Sequence, residues 1–147
     1  MRRIELHARV PGRPAGEVYE ILCGLERYPE CASAVRSLTI LERGSDRMIS
    51  RWEVNFQDGV LQWTEEDRLF PEKSMIEFRQ IEGDVDYYAG EWSVRDEAEG
   101  CSLRFSAEFD FGMPGFEDTI GPIAEMEFRN SVRSIVEGLL GDSAEVT

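Results

Sequence analysis

Apolar and polar residues alternate without a break from Ile4 to Val10. Ile4, Leu6, Ala8 and Val10 fall on one face and Glu5, His7 and Arg9 on the other, which predicts a half-buried strand. Pro11-Gly12-Arg13-Pro14 ends it, and Val18, Ile21, Leu22 and Leu25 then supply the stripe of a helix that closes near Gly24. Tyr28-Pro29-Glu30-Cys31 starts a second short helix or turn, separate from the first because Pro29 disfavours helix at Tyr28. From Val35 to Phe111 the pattern is six strands, near 35–43, 46–56, 60–70, 74–82, 86–96 and 101–111. Their breaks are Gly44, Asp58-Gly59, Pro71-Glu72-Lys73, Gly83-Asp84 and Glu99-Gly100, too short for anything but antiparallel neighbours. After Gly112-Met113-Pro114-Gly115, the residues Ile120, Ala124, Phe128, Val132, Ile135 and Leu139 recur at helical spacing. Pro122 suits the first turn of this helix, with 116–120 as a lead-in, and Gly141 stops it after about eighteen residues, or ~27 Å.

Turn chemistry sets a register. With Asp58-Gly59 as a two-residue turn, Val54 faces Trp63, Trp52 faces Glu65, Ser50 faces Asp67 and Met48 faces Leu69. In the last hairpin Asp96 opposite Cys101 brings together Val94 and Leu103, Trp92 and Phe105, Gly90 and Ala107, and Tyr88 and Phe109. Ile76 and Phe78 join the same side, so all three tryptophans lie on one concave face. The economical assembly is an α+β fold, a curved seven-stranded antiparallel sheet wrapped around a long C-terminal helix, with two short helices after the first strand and an internal cavity.

At 147 residues the chain is expected to form a single domain over 1–147. Thirty acidic against sixteen basic residues give a net charge of −14, which counts against nucleic acid or an anionic membrane as the partner. No apolar run approaches the ~20 residues of a membrane span, and the N-terminus lacks a signal-peptide core, so the expected location is cytoplasmic. Cys23, Cys31 and Cys101 are odd in number and lack CxxC spacing; free thiols are expected, with no metal site. His7, the single histidine, points away from the core face and is poorly placed for a catalytic triad.

This order of elements resembles the helix-grip fold of the START and Bet v 1-like (SRPBCC) superfamily, in particular its polyketide aromatase/cyclase and coenzyme-Q-binding-protein branch. The resemblance rests on Leu25-Glu26-Arg27-Tyr28-Pro29-Glu30, Trp63, Gly90-Glu91-Trp92-Ser93-Val94, Glu108-Phe109-Asp110-Phe111 and Phe128-Arg129-Asn130. It implies a hydrophobic ligand between sheet and helix, in the cyclases a poly-β-ketone delivered by an acyl carrier protein, and no cofactor. Tetracenomycin-type relatives carry an inward serine and arginine where this chain has Glu65 and Asp67, and a tyrosine where it has Val35, so a copied mechanism is untenable.

The candidate site follows from the concave face. Trp52, Trp63, Phe78, Trp92 and Phe105 are expected to line a ligand cavity, with plain core packing as the alternative for each. Gly90 and Ala107 form a small pair that leaves room, or lets a helix approach. Glu65 and Asp67 are inward carboxylates: Asp67 at a strand end open to solvent, either one paired with an arginine, or Glu65 a proton-transfer group at the cavity wall with Asp67 and Tyr88 beside it. Tyr28, Ser50 and Asn130 are further hydroxyl or amide groups for substrate, Asn130 being equally well read as a boundary amide. Three functions compete: a polyketide cyclase/aromatase promoting aldol closure and dehydration, a non-catalytic quinone or lipid carrier, and a protein-interaction module. Carrier proteins are themselves acidic, so docking one needs a local basic patch, for which Arg2, Arg3, Arg43, Arg47 and Lys73 are scattered candidates.

Overall fold

A computed structural model describes residues 1–112 and 114–147; Met113 of the expected Gly/Pro break lies outside the described residues. The first strand, β1 (Arg2–Pro11), buries Ile4, Leu6, Ala8 and Val10 as the alternation requires. It is followed by α1 (Ala15–Cys23), a 3-10 turn at Leu25–Arg27 and α2 (Tyr28–Cys31). The meander is β2 (Val35–Arg43), β3 (Arg47–Phe56), β4 (Gly59–Phe70), β5 (Met75–Gly83), β6 (Tyr87–Glu97) and β7 (Gly100–Asp110), each within a residue or so of its expected bounds. The last elements are α3 (Pro114–Leu140) and β8 (Glu145–Val146). The strands form one antiparallel sheet of order β2-β3-β4-β5-β6-β7-β1-β8, eight strands rather than seven. The extra strand, β8, pairs only with Ala8 and Arg9, and two residues are too few to leave a periodic trace.

Two details differ from expectation. The β3–β4 turn is Gln57-Asp58, with Phe56 opposite Gly59, so Trp52 faces Trp63, Ser50 faces Glu65 and Met48 faces Asp67. Gln57 takes a left-handed φ of 55°, and Glu127 of α3 accepts from its backbone N–H at 3.1 Å and from its side-chain amide. That tertiary grip overrides the Asp-Gly signal. Because the slip is two residues, every side chain keeps its face. The second difference is α3, which runs 27 residues, about 40 Å, with Pro122 in its interior rather than in its first turn. The β6–β7 register is the expected one throughout.

The inner face of the sheet and the Ala124, Phe128, Val132, Val136 side of α3 bury each other. Gly90 is not a space-maker here. A Cβ at that position would meet the Ser106 carbonyl oxygen at 2.2 Å and Ala107 Cα at 2.7 Å, so the close approach of the β7 backbone is what demands glycine. Gly90→Ala is expected to cost about 1–3 kcal/mol, read as a lowered urea midpoint at unchanged slope.

Candidate functional site

Strand β4 carries three acids in a row, and the pleat sends them to opposite sides. Glu66 faces out, where Arg47 Nε donates to it at 2.5 Å and Arg68 Nε at 3.2 Å, with Arg79 at 3.7 Å. The Arg47 hydrogen bond, with that of Arg68, holds its carboxyl below the ordinary range despite the opposing effect of burial. Glu65 and Asp67 face in and are 3% and 1% exposed. Among the described residues no Arg, Lys or His makes an ion pair with either. Neither the solvent-open reading of Asp67 nor the arginine-paired reading of the two acids survives.

Their partners come from β4 itself and from the adjacent β3. Trp63 Nε1 donates to Glu65 Oε1 at 2.8 Å, Ser50 Oγ donates to Asp67 Oδ2 at 2.7 Å, and Trp52 Nε1 donates to Ser50 Oγ at 2.9 Å. The two inward carboxyls also act on each other's protonation, Asp67 raising Glu65 and Glu65 lowering Asp67. Burial pushes Glu65 well above the usual carboxylate range; the charge and hydrogen bond of Asp67 add to this, and the Trp63 bond opposes it. Burial raises Asp67 too, while the hydrogen bonds of Glu65 and Ser50 pull it back. A proton kept on Glu65 answers both the cost of burying charge and the presence of the acid beside it.

Around this pair the aromatic side chains form a continuous wall. Trp52 stacks on Trp63 with centroids 5.5 Å apart, and Tyr88 meets Trp63 edge-on at 5.4 Å. Phe105 stacks on Phe78 at 5.6 Å and takes Trp92 edge-on at 4.7 Å. From α3, Phe128 closes over Phe109 at 4.9 Å and Phe56 at 5.8 Å. What remains between sheet and helix is a hollow of about 40 Å³, onto which Trp52, Trp63, Glu65, Phe78, Tyr88, Trp92 and Phe105 open. That is space for a few water molecules, not for a polyketone chain. The expected internal cavity is therefore largely filled, because stacked indoles and the Phe128 ring occupy the trough.

The other expected site residues lie elsewhere. Asp67 and Ser50 stand behind Glu65 and do not line the hollow. Tyr28 is fully buried and donates its hydroxyl to the Leu22 carbonyl at 2.7 Å, so it ties α2 to α1 and offers no free donor. Gly90 and Ala107 border a groove on the outer face instead, where arginines and glutamates alternate. Asn130 is exposed, in a surface groove beside Pro29 and Cys31. It sits two residues from both Phe128 and Val132, roughly 200° around the helix from each. Its neighbour Ser131 reaches the hollow in its place, its hydroxyl donating to the Glu127 carbonyl at 3.0 Å. Ser131 was not legible as a site residue; only the packing of α3 on the sheet brings it there. Burial, reinforced by the nearby acids, keeps the Tyr88 phenol neutral to well above its ordinary pKa. No helix is long and apolar enough to cross a membrane among the described residues.

Residues 11–136 match the family described as polyketide cyclase / dehydrase and lipid transport. Among solved structures, TTHA0849 from Thermus thermophilus is 25% identical, with TM-score 0.88 over 97% of each chain. The ZhuI aromatase/cyclase from Streptomyces sp. R1128 is 25% identical, with TM-score 0.73 over 97% of this chain and 93% of its own. A START superfamily protein from Mycobacterium smegmatis, 16% identical, shares the fold at TM-score 0.71, covering 95% of this chain and 92% of its own. A search of curated proteins found no match. The arrangement of elements is thus the helix-grip fold, and the chain belongs to the polyketide cyclase / dehydrase and lipid transport family.

Proposed function

We propose that the protein is a cofactor-independent polyketide cyclase/dehydratase in which the Glu65–Asp67 pair performs the proton transfers. The observation that carries this reading is a pair of buried carboxyls, without a counter-cation among the described residues, opening through Glu65 onto an aromatic hollow; burial favours one proton kept on the pair. A pair holding one proton is at once an acid and a base. In aldol closure it takes the proton of a methylene flanked by ketones and delivers one to the carbonyl that is attacked, so the sum of protons on the pair is unchanged. Tyr88, a neutral phenol on the same wall, is the donor available to the developing enolate oxygen. A carrier has no use for such a pair, which supports catalysis over simple transport.

Substrate entry on this reading requires α3 to lift Phe128 from the sheet. The Gln57–Glu127 bonds and the Phe56–Phe128 contact are what hold the helix down on the β3–β4 side. Four of the five basic candidates for carrier docking are already engaged, Arg2 with Glu125, Arg3 with Glu5, Arg43 with Glu26 and Arg47 with Glu66, so the proposed substrate is a released polyketone. Incubation with a reactive poly-β-ketone is expected to shift the product ring pattern, read by mass spectrometry, away from that of spontaneous closure. A spectrum identical to the protein-free control would overturn the assignment.

A further inference from the structure

The hollow is bordered by acid and by no base. Among the described residues that line it, Glu65 and the Tyr88 phenol are the ionisable groups, and no Arg, Lys or His reaches it. Trp63 Nε1 alone donates to Glu65, at Oε1, so the second oxygen of this buried carboxyl receives no hydrogen bond from the described residues. Asp67, two positions along the same strand, adds a second inward acid. Arg2, which the alternation of β1 puts on the same face as Ile4, is engaged elsewhere. It packs against Gly121 of α3 and pairs with Glu125 at 3.8 Å. A narrow cleft beside the hollow shares Trp63, Tyr88 and Phe128 with it, and the charged group on that cleft is again an acid, the exposed Asp84. Hollow and cleft together present carboxyls, indole faces and a phenol, with no cation among the described residues.

A ligand group placed there is sorted by its charge. A carboxylate would add a third carboxyl to a space that excludes water and offers no counter-ion, where like charges repel and none is solvated. A ketone brings no charge and needs only a donor, which a protonated Glu65 is. A protonated amine is itself the counter-charge that the fold omits. The faces of Trp52 and Trp63 attract it, and Glu65 gives its proton up to solvent as the ammonium takes that place. We propose that the hollow is a charge filter, which admits an uncharged or cationic ligand group and refuses an anionic one. This rests on the cyclase/dehydratase reading above and narrows its substrate: the end of the polyketone that enters the hollow is a ketone, ester or lactone, and not the free carboxylate that hydrolysis leaves.

Three probes of one shape test it at neutral pH: benzylacetone, the amine made from it by reductive amination, which is then an ammonium, and hydrocinnamate, which is then a carboxylate. Binding is read by quenching of tryptophan emission, since Trp52, Trp63 and Trp92 border the hollow. The natural protein is expected to bind the ketone and the ammonium, and to hold the carboxylate at least about a hundredfold more weakly than either. The double variant Glu65→Gln, Asp67→Asn keeps the shape and removes the charge. It is expected to weaken the ammonium by about tenfold or more and to leave the ketone within about threefold. An ammonium held as weakly as the carboxylate by the natural protein would mean that apolar packing alone excludes ions, and overturns the filter even if the variant does not fold. A carboxylate bound as tightly as the ketone overturns it as well. Both results leave the cyclase reading standing where Glu65-dependent turnover of a poly-β-ketone persists. Quenching by none of the three overturns the ligand site itself, and the filter with it.

Discussion

Glu65→Gln will lower turnover of a poly-β-ketone by about a hundredfold to ten-thousandfold, the range that a positioned acid/base supplies, without loss of fold. Glutamine has the size of the residue it replaces. Its carbonyl oxygen can still accept from Trp63 Nε1 and its amide can still donate toward Asp67, so the hydrogen bonds survive and only the transferable proton is gone. Asp67→Asn acts one step back. Asparagine can accept from Ser50 through its oxygen, but its amide replaces the acid that raises Glu65. The expected loss is smaller, and the rate is expected to respond to pH differently from that of the natural protein. Initial rates alongside far-ultraviolet circular dichroism separate these effects from unfolding. Full activity in Glu65→Gln would exclude the pair from the chemistry.

The pair also makes stability depend on pH with an unusual sign. A carboxyl whose pKa is raised on folding holds more protons in the native than in the unfolded chain between the two values. Stability therefore falls as pH rises from the ordinary carboxylate range toward the folded pKa, by about 1.4 kcal/mol for each unit of upward shift. Both Glu65 and Asp67 shift upward, chiefly through burial, so the melting temperature is expected to decline from mildly acidic toward neutral pH. Glu66, held low by the hydrogen bonds of Arg47 and Arg68, works in the opposite sense and in a different window. Its contribution is present above the ordinary carboxylate range and is lost only on further acidification. The double variant Glu65→Gln, Asp67→Asn is expected to remove the decline and to melt several degrees above the natural protein at neutral pH. A natural protein whose melting temperature rises over the same interval would show that the acids are not protonated in the fold.

The sheet was largely legible because its strands declare themselves locally. In β6 Trp92 and Val94 alternate with polar neighbours, in β7 Cys101, Leu103 and Phe105 do the same, and these rows meet in the expected register. The β3–β4 turn was misplaced because its conformation is chosen by Glu127, seventy residues away, and no local turn preference contains that contact. The consequence was small for the faces and large for the neighbours: Ser50 comes opposite Glu65 rather than Asp67, and Trp52 opposite Trp63 rather than Glu65. The inward direction of Glu65 and Asp67 was readable from the pleat alone. That both are raised was not, since it depends on how deeply the fold buries them. The volume of the hollow was equally out of reach, because alternation says which rings face inward but not how closely they stack. Asn130 failed because it lies on the opposite side of α3 from Phe128 and Val132, and the hydroxyl that reaches the hollow is Ser131.

Everything proposed for the site returns to the state of one carboxyl group. Carbon-13 NMR of the glutamate and aspartate side-chain carboxyls, with Glu65 and Asp67 assigned through the Gln and Asn variants, follows that group directly as pH is raised. The expected titration shows one proton retained by the pair through neutral pH, with the chemical shift of Glu65 that of a carboxylic acid after the surface acids have ionised. Ionisation of both carboxyls within the ordinary range, together with the surface acids, would contradict the buried acid pair and the chemistry built on it.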